Sequence, residues 1–277
     1  MSDSTPATIS TRTEGAYASV NGLDIYYETH GSGRPLVLLH GGLSTIGTDF
    51  GQVLQPLAET RRTIGIEQQG HGHTADVDRP LTYEQMAEDT AALLRQLEVE
   101  QADFFGYSMG GGIALQIAMR HPELVRKLVP AGGTAYRPDG LYPEILEGID
   151  HMTPEALAGS EFEKAYARTA PSPENWPALI ARMQELDGGW KGWSPEDIQA
   201  IAAPTLVIIG DSDIVRPEHA VELFRLLGGG VPGDLAGLPR AQLAVLPGTT
   251  HVGLVDRADW LISMVSEFLD APMPAAA

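Results

Sequence analysis

The stretch Ala102-Asp-Phe-Phe-Gly-Tyr-Ser-Met-Gly110 decides how this sequence is read. Ala102 to Phe105 has the length and apolar weight of a strand, and the residues from Gly110 to about Arg120 read as a helix. Gly106-Tyr107-Ser108-Met109-Gly110 is therefore the turn between them. The pattern G-x-S-x-G in that setting has a physical logic, because a serine on a sharp strand-to-helix turn needs neighbours without side chains. Its hydroxyl then projects above the sheet, with a helix N-terminus beneath it. His121-Pro122 is the natural stop of that helix, since the residue before proline avoids the α region.

Working outward, strands alternate with helices on both sides of this turn. Upstream, Ala16 to Val20 and Leu23 to Tyr27 flank Asn21-Gly22, a pair suited to the positive φ angles of a two-residue hairpin. After the break at 31–35, Leu36 to Leu39 is a wholly apolar run, as expected of a strand covered on both faces. Thr63 to Ile66 reads as a strand, and Thr82 opens a helix with Gln85 three residues later, a capping box. Downstream, Leu124 to Val129, Thr205 to Ile209 and Leu243 to Leu246 read as strands. A helix begins near Pro217, and the stripe Leu261, Val265, Phe268 marks a last one. Between about 135 and 200 the rhythm breaks into short helices rich in Pro, Trp and acidic residues. The pattern predicts an α/β fold with a mostly parallel, doubly wound sheet. The core spans 15–134 and 201–270, with a helical insertion at 135–200 and frayed ends at 1–14 and 271–277.

The 277 residues carry 37 acidic and 18 basic side chains, a formal charge of −19. Such a surface offers no basic face to a phosphate backbone, so nucleic acid is not an expected partner. With no cysteine, disulfides, thiolate catalysis and Cys-ligated metal sites are excluded. No run of 18 residues stays apolar, so no membrane span is expected. The opening residues do not read as a signal peptide, and the expected location is the cytoplasm.

A nucleophilic serine needs a base, and the base needs an orienting carboxylate. Gly248-Thr-Thr-His251 follows the last strand and Gly210-Asp-Ser-Asp213 follows the strand before it, both at the sheet edge where Ser108 stands. His40-Gly-Gly-Leu43 leaves the apolar strand at the same edge. Its Gly42 N–H, or next Leu43, could join the Met109 N–H in stabilising an oxyanion. The order Ser108, Asp213, His251 is that of one fold, and here the sequence resembles the α/β-hydrolase superfamily over about residues 15 to 270. The resemblance implies that the insertion is the family's cap and that the acid stands three residues after Gly210, at Asp213. Asp211 is the alternative, with the capping of its own turn as its other role. A serine at the elbow separates the chain from dehalogenase and epoxide-hydrolase relatives, which carry aspartate there.

The resemblance further implies a serine hydrolase acting on small-molecule carboxylic esters or lactones through an acyl-enzyme, with no cofactor. C–C hydrolases of ring-cleavage diketones, cofactor-free haloperoxidases or perhydrolases, and non-enzymatic small-molecule receptors share the same triad. Neutral His251 as base predicts activity that rises with pH and is indifferent to chelators. Aromatic residues of the insertion, Tyr136, Trp190 and Trp193, are candidates with Leu43 for the substrate pocket, or else pack the insertion onto the sheet. His71-Gly-His73 with Asp76 and Asp78 partly matches a metal motif but lacks its terminal histidine, so no metal is expected and the segment reads as a structural loop. His121 and His219 read as surface or helix-end residues.

Overall fold

The computed structural model describes residues 15–273. The ends expected to fray, 1–14 and most of 271–277, lie outside the described residues. Eight strands form one sheet in the order β1-β2-β4-β3-β5-β6-β7-β8: β1 (Ala16–Val20), β2 (Leu23–His30), β3 (Arg34–Leu39), β4 (Arg61–Glu67), β5 (Ala102–Tyr107), β6 (Val125–Ala131), β7 (Thr205–Ser212) and β8 (Ala241–Thr250). The β1–β2 and β2–β4 pairs are antiparallel and the other neighbours parallel. The hairpin turn is the expected one, with Asn21 at φ 47° and Gly22 at φ 79°.

Helices cover both faces, and the strands show why they are apolar throughout. Val37 and Leu39 of β3 join one core with Ile64, Ile66 and Phe104. Leu36 and Leu38 face the other with Phe105 and Val129. Successive side chains alternate between two buried layers, so no polar side of the sheet is left. The first layer is closed by the helices Tyr83–Gln96 and Met109–Arg120, the second by Ala258–Asp270. Leu261, Val265 and Phe268 are all buried, at the positions their spacing predicts.

Two local expectations hold only in part. Thr82 does accept from the Gln85 N–H at 3.1 Å, but the reciprocal half of the box is missing because the Gln85 amide donates to Asp89 at 2.9 Å. His219 is a helix-end residue, in the first turn of the helix Pro217–Leu226, but not a surface one: it is buried, stacked on Tyr136, and accepts the Tyr136 N–H at 3.2 Å. Between β6 and β7 the chain forms short helices, including Pro143–Gly148, Glu161–Thr169 and Trp176–Gly189. No helix of the described residues is long and apolar enough to cross a membrane.

Candidate active site

Ser108 is the hinge between β5 and the helix Met109–Arg120, with φ 52° and ψ −121°. A non-glycine residue held there is strained, and strain persists only where surrounding structure enforces it. The enforcement is close packing at the two motif glycines. A Cβ on Gly106 would lie 2.1 Å from the Gly110 carbonyl oxygen, and one on Gly110 would lie 1.9 Å from that of Leu39. The Ser108 N–H is tied to Ala131 O of β6 at 2.9 Å, so the turn is held to the sheet from both sides.

His251 leaves β8 and Asp213 leaves β7, and the sheet order makes these strands neighbours. Ser108 Oγ lies 2.8 Å from His251 Nε2, and His251 Nδ1 lies 2.7 Å from Asp213 Oδ1. The carboxylate accepts Nδ1–H, which leaves Nε2 free to accept the serine proton. The Asp213 side chain is wholly buried and also accepts the Val215 N–H at 3.3 Å. Tyr107 completes the placement: its hydroxyl donates to His251 O at 2.9 Å, and its ring stacks on the imidazole at 5.4 Å. Sequence reading missed this role, although Tyr107 lies inside the motif itself. Asp211 bonds within its own turn, where the Ser212 hydroxyl donates to it at 3.2 Å, and it also reaches beyond it. Its two oxygens accept the N–H groups of Gly248 (2.9 Å) and Thr249 (3.1 Å), on the segment that carries His251. Those amide donors hold its carboxyl below the usual range.

Gly42, Leu43 and Met109 line the cavity into which Ser108 opens. Leu43 takes φ 61°, and no hydrogen-bond partner occupies the Gly42 or Met109 N–H among the described residues. The preceding peptide is clamped. Gly41 N–H donates to buried Asp49 at 2.7 Å, while His40 Nδ1–H donates to Gly41 O at 2.7 Å. His40 Nε2 in turn accepts Gln68 N–H at 3.0 Å. Burial lowers His40 to about 3, so it stays neutral and keeps this tautomer.

The cavity holds about 210 Å³ and is walled mainly by aliphatic side chains such as Ile145, Met152, Met183 and Ile214. Of the aromatic candidates, Trp190 lines it. Tyr136 does not: it is fully buried, and its hydroxyl donates to Glu222 at 2.7 Å. Trp193 also stands behind the wall, edge-on to Tyr83 and Trp190. Sequence reading overlooked two polar lining residues, Tyr83 and Asp187.

The His71 and His73 rings point to other work. His71 is fully buried with Nδ1 on Gln69 O at 2.9 Å, and His73 pairs with Glu67 at 2.8 Å. No group of three His, Cys, Asp or Glu side chains among the described residues could hold a metal ion. Burial lowers the His71 pKa from 6.5 to about 4. As pH falls through that window the unfolded chain takes up a proton that the folded chain refuses, so stability is lost. His71→Asn retains a donor for Gln69 O without the titration. Wild type should lose about 1.4 kcal/mol per pH unit relative to this variant between about pH 6.5 and 4. Urea melts of both at pH 7 and 4.5 read this directly, and a constant difference would contradict it.

The chain belongs to the α/β-hydrolase family, whose model, described as the alpha/beta hydrolase fold, matches residues 34–258. It is 37% identical over 275 residues to the 2-hydroxymuconate semialdehyde hydrolase of Pseudomonas sp. (strain CF600), covering 86% of this chain and 88% of that one. It is 27% identical over 271 residues to the serine hydrolase BPHL of Mus musculus, covering 95% and 89%. Among solved structures, the carboxylesterase CesB of Bacillus subtilis superposes with a TM-score of 0.70 at 18% identity, covering 94% and 93%.

Proposed function

We propose that this α/β hydrolase is a serine hydrolase of short carboxylic esters or lactones, working through an acyl-enzyme. The observation that carries the reading is the unbroken relay from Asp213 through His251 to Ser108, opening into a small apolar cavity. His251 Nε2 takes the Ser108 proton as Oγ attacks the carbonyl carbon. The N–H groups of Gly42 and Met109 stabilise the oxyanion. Collapse breaks the C–O bond, and His251 returns the proton to the leaving alkoxide. Water then attacks the acyl-serine with the same base, releasing the acid.

The same triad serves C–C hydrolases, and one relative's name denotes an anion, 2-hydroxymuconate semialdehyde. What favours the ester reading is Asp187, a carboxylate in the cavity wall, which opposes a second carboxylate by like-charge repulsion. Short aryl esters and lactones should therefore be turned over with kcat/KM at least ~10-fold above an anionic ring-cleavage diketone, each ratio taken against Ser108→Ala. A preference for the diketone would assign the C–C class instead. Stoichiometric binding without turnover of either would assign a receptor.

A further inference from the structure

Asp187 has no role in the relay, yet it sits in the wall of the same cavity. It lies near the end of the helix Trp176–Gly189, partly buried, with no hydrogen-bond or ion-pair partner among the described residues. The nearest basic residue of its helix, Arg182, is turned to Asp76 at 3.3 Å. Tyr83 and Trp190 line the cavity with it, their ring centroids 5.8 Å apart. The Trp190 indole N–H beside it is buried without a partner. A carboxylate partly withdrawn from water and left without a protein partner is disfavoured, and its natural complement is a cation. Aromatic rings beside it suit the same species, because ring quadrupoles attract an ammonium group.

We infer that Asp187, Tyr83 and Trp190 form a subsite for a cationic nitrogen, so that the preferred substrates are small esters bearing an ammonium group. This rests on the ester-hydrolase reading above. The formal charge of −19 adds a long-range field of the right sign to draw such substrates in. Burial alone raises the Asp187 carboxyl to about 6, and Asp187 in turn adds to the upward push on the Tyr83 hydroxyl, after burial itself. The titratable and charged groups around the subsite are Tyr83 and His251 in the same cavity, and Glu84, Glu185 and Lys191, which line the adjoining pocket with Tyr83 and Trp190. Below about pH 6 Asp187 takes up a proton and its attraction for a cation is lost.

The test uses two esters of one shape, acetylcholine and 3,3-dimethylbutyl acetate, which differ in a quaternary nitrogen replaced by carbon. Wild type at pH 8 should show a kcat/KM ratio of about 10-fold or more in favour of the cation. Asp187→Asn, checked for native melting, should bring the ratio to near one. In unmutated protein the ratio should fall as pH drops through about 6, and dependence on His251 cancels because both esters use the same base. A wild-type ratio near one, or a ratio unmoved by Asp187→Asn or by pH, overturns the subsite while leaving the ester reading intact. Calorimetric binding of choline separates the other failure. Choline bound by wild type and lost in Asp187→Asn, with neither ester hydrolysed, supports the subsite and removes the ester reading. No choline binding and no turnover removes both.

Discussion

Replacing Ser108 with alanine is expected to lower kcat by roughly 10⁴-fold or more while the protein keeps its native melting transition. The loss is that large because the other parts of the relay have no function without Oγ. His251 remains oriented by Asp213 at 2.7 Å, but no nucleophile stands at its Nε2. The residual rate would be that of water held near free oxyanion donors. Stability should be little changed, since the strained backbone at φ 52° is imposed by the surrounding turn and alanine inherits it unchanged. The variant loses one hydrogen bond, 2.8 Å long, to an imidazole that keeps its carboxylate partner. Intact-mass measurement with an aryl phosphonate or sulfonyl fluoride gives the direct readout. Wild type should gain one adduct, and Ser108→Ala should gain none. Equal labelling of the variant would move the nucleophile elsewhere.

What made the fold readable was local. The motif at Ser108 announces itself because backbone crowding at Gly106 and Gly110 excludes every side chain, and such crowding writes glycine into the sequence. Strands buried on both faces write continuous apolar runs, so β3 was visible from Leu36 to Leu39. β8 was seen as four residues although it runs from Ala241 to Thr250. It forms the sheet edge, its burial is irregular, and Pro247-Gly248 looks like a stop.

Most of the misreadings come from partnership across long sequence separations. Tyr136 looked like a pocket aromatic, but Glu222 takes its hydroxyl and His219 its ring, more than 80 residues onward. The exception is a short-range one: Gln85 looked like the second half of a capping box until Asp89, one turn along the same helix, offered a charged acceptor. Asp187 and Tyr83 carry no motif, and only the folded chain brings them to one cavity. Position in a strand–helix rhythm is written locally, whereas the identity of a contact is not.

That distinction decides the last expectation, which concerns the two aspartates after β7. Local reading leaves both open as partners of His251, because they stand two residues apart in one turn. The folded chain separates them. Asp213 is buried and accepts from His251 Nδ1 at 2.7 Å, whereas Asp211 is exposed and accepts two backbone N–H groups from the segment before His251. Asparagine at 213 is nearly isosteric, but its amide nitrogen cannot accept Nδ1–H. The imidazole is then driven toward the tautomer with its proton on Nε2, where it cannot act as a base, and the imidazolium formed during attack loses its counter-charge. Asp213→Asn should therefore keep the fold and lower kcat by about 10³- to 10⁴-fold. Asp211→Asn keeps one carbonyl acceptor for the Gly248–Thr249 amides and loses only a solvent-screened charge. Its cost should be on the order of tenfold or less, through looser placement of His251. Activity of both variants, measured after each shows native melting, ranks the two. A crippled Asp211→Asn beside a near-normal Asp213→Asn would place the orienting carboxylate at 211 and break the relay drawn here.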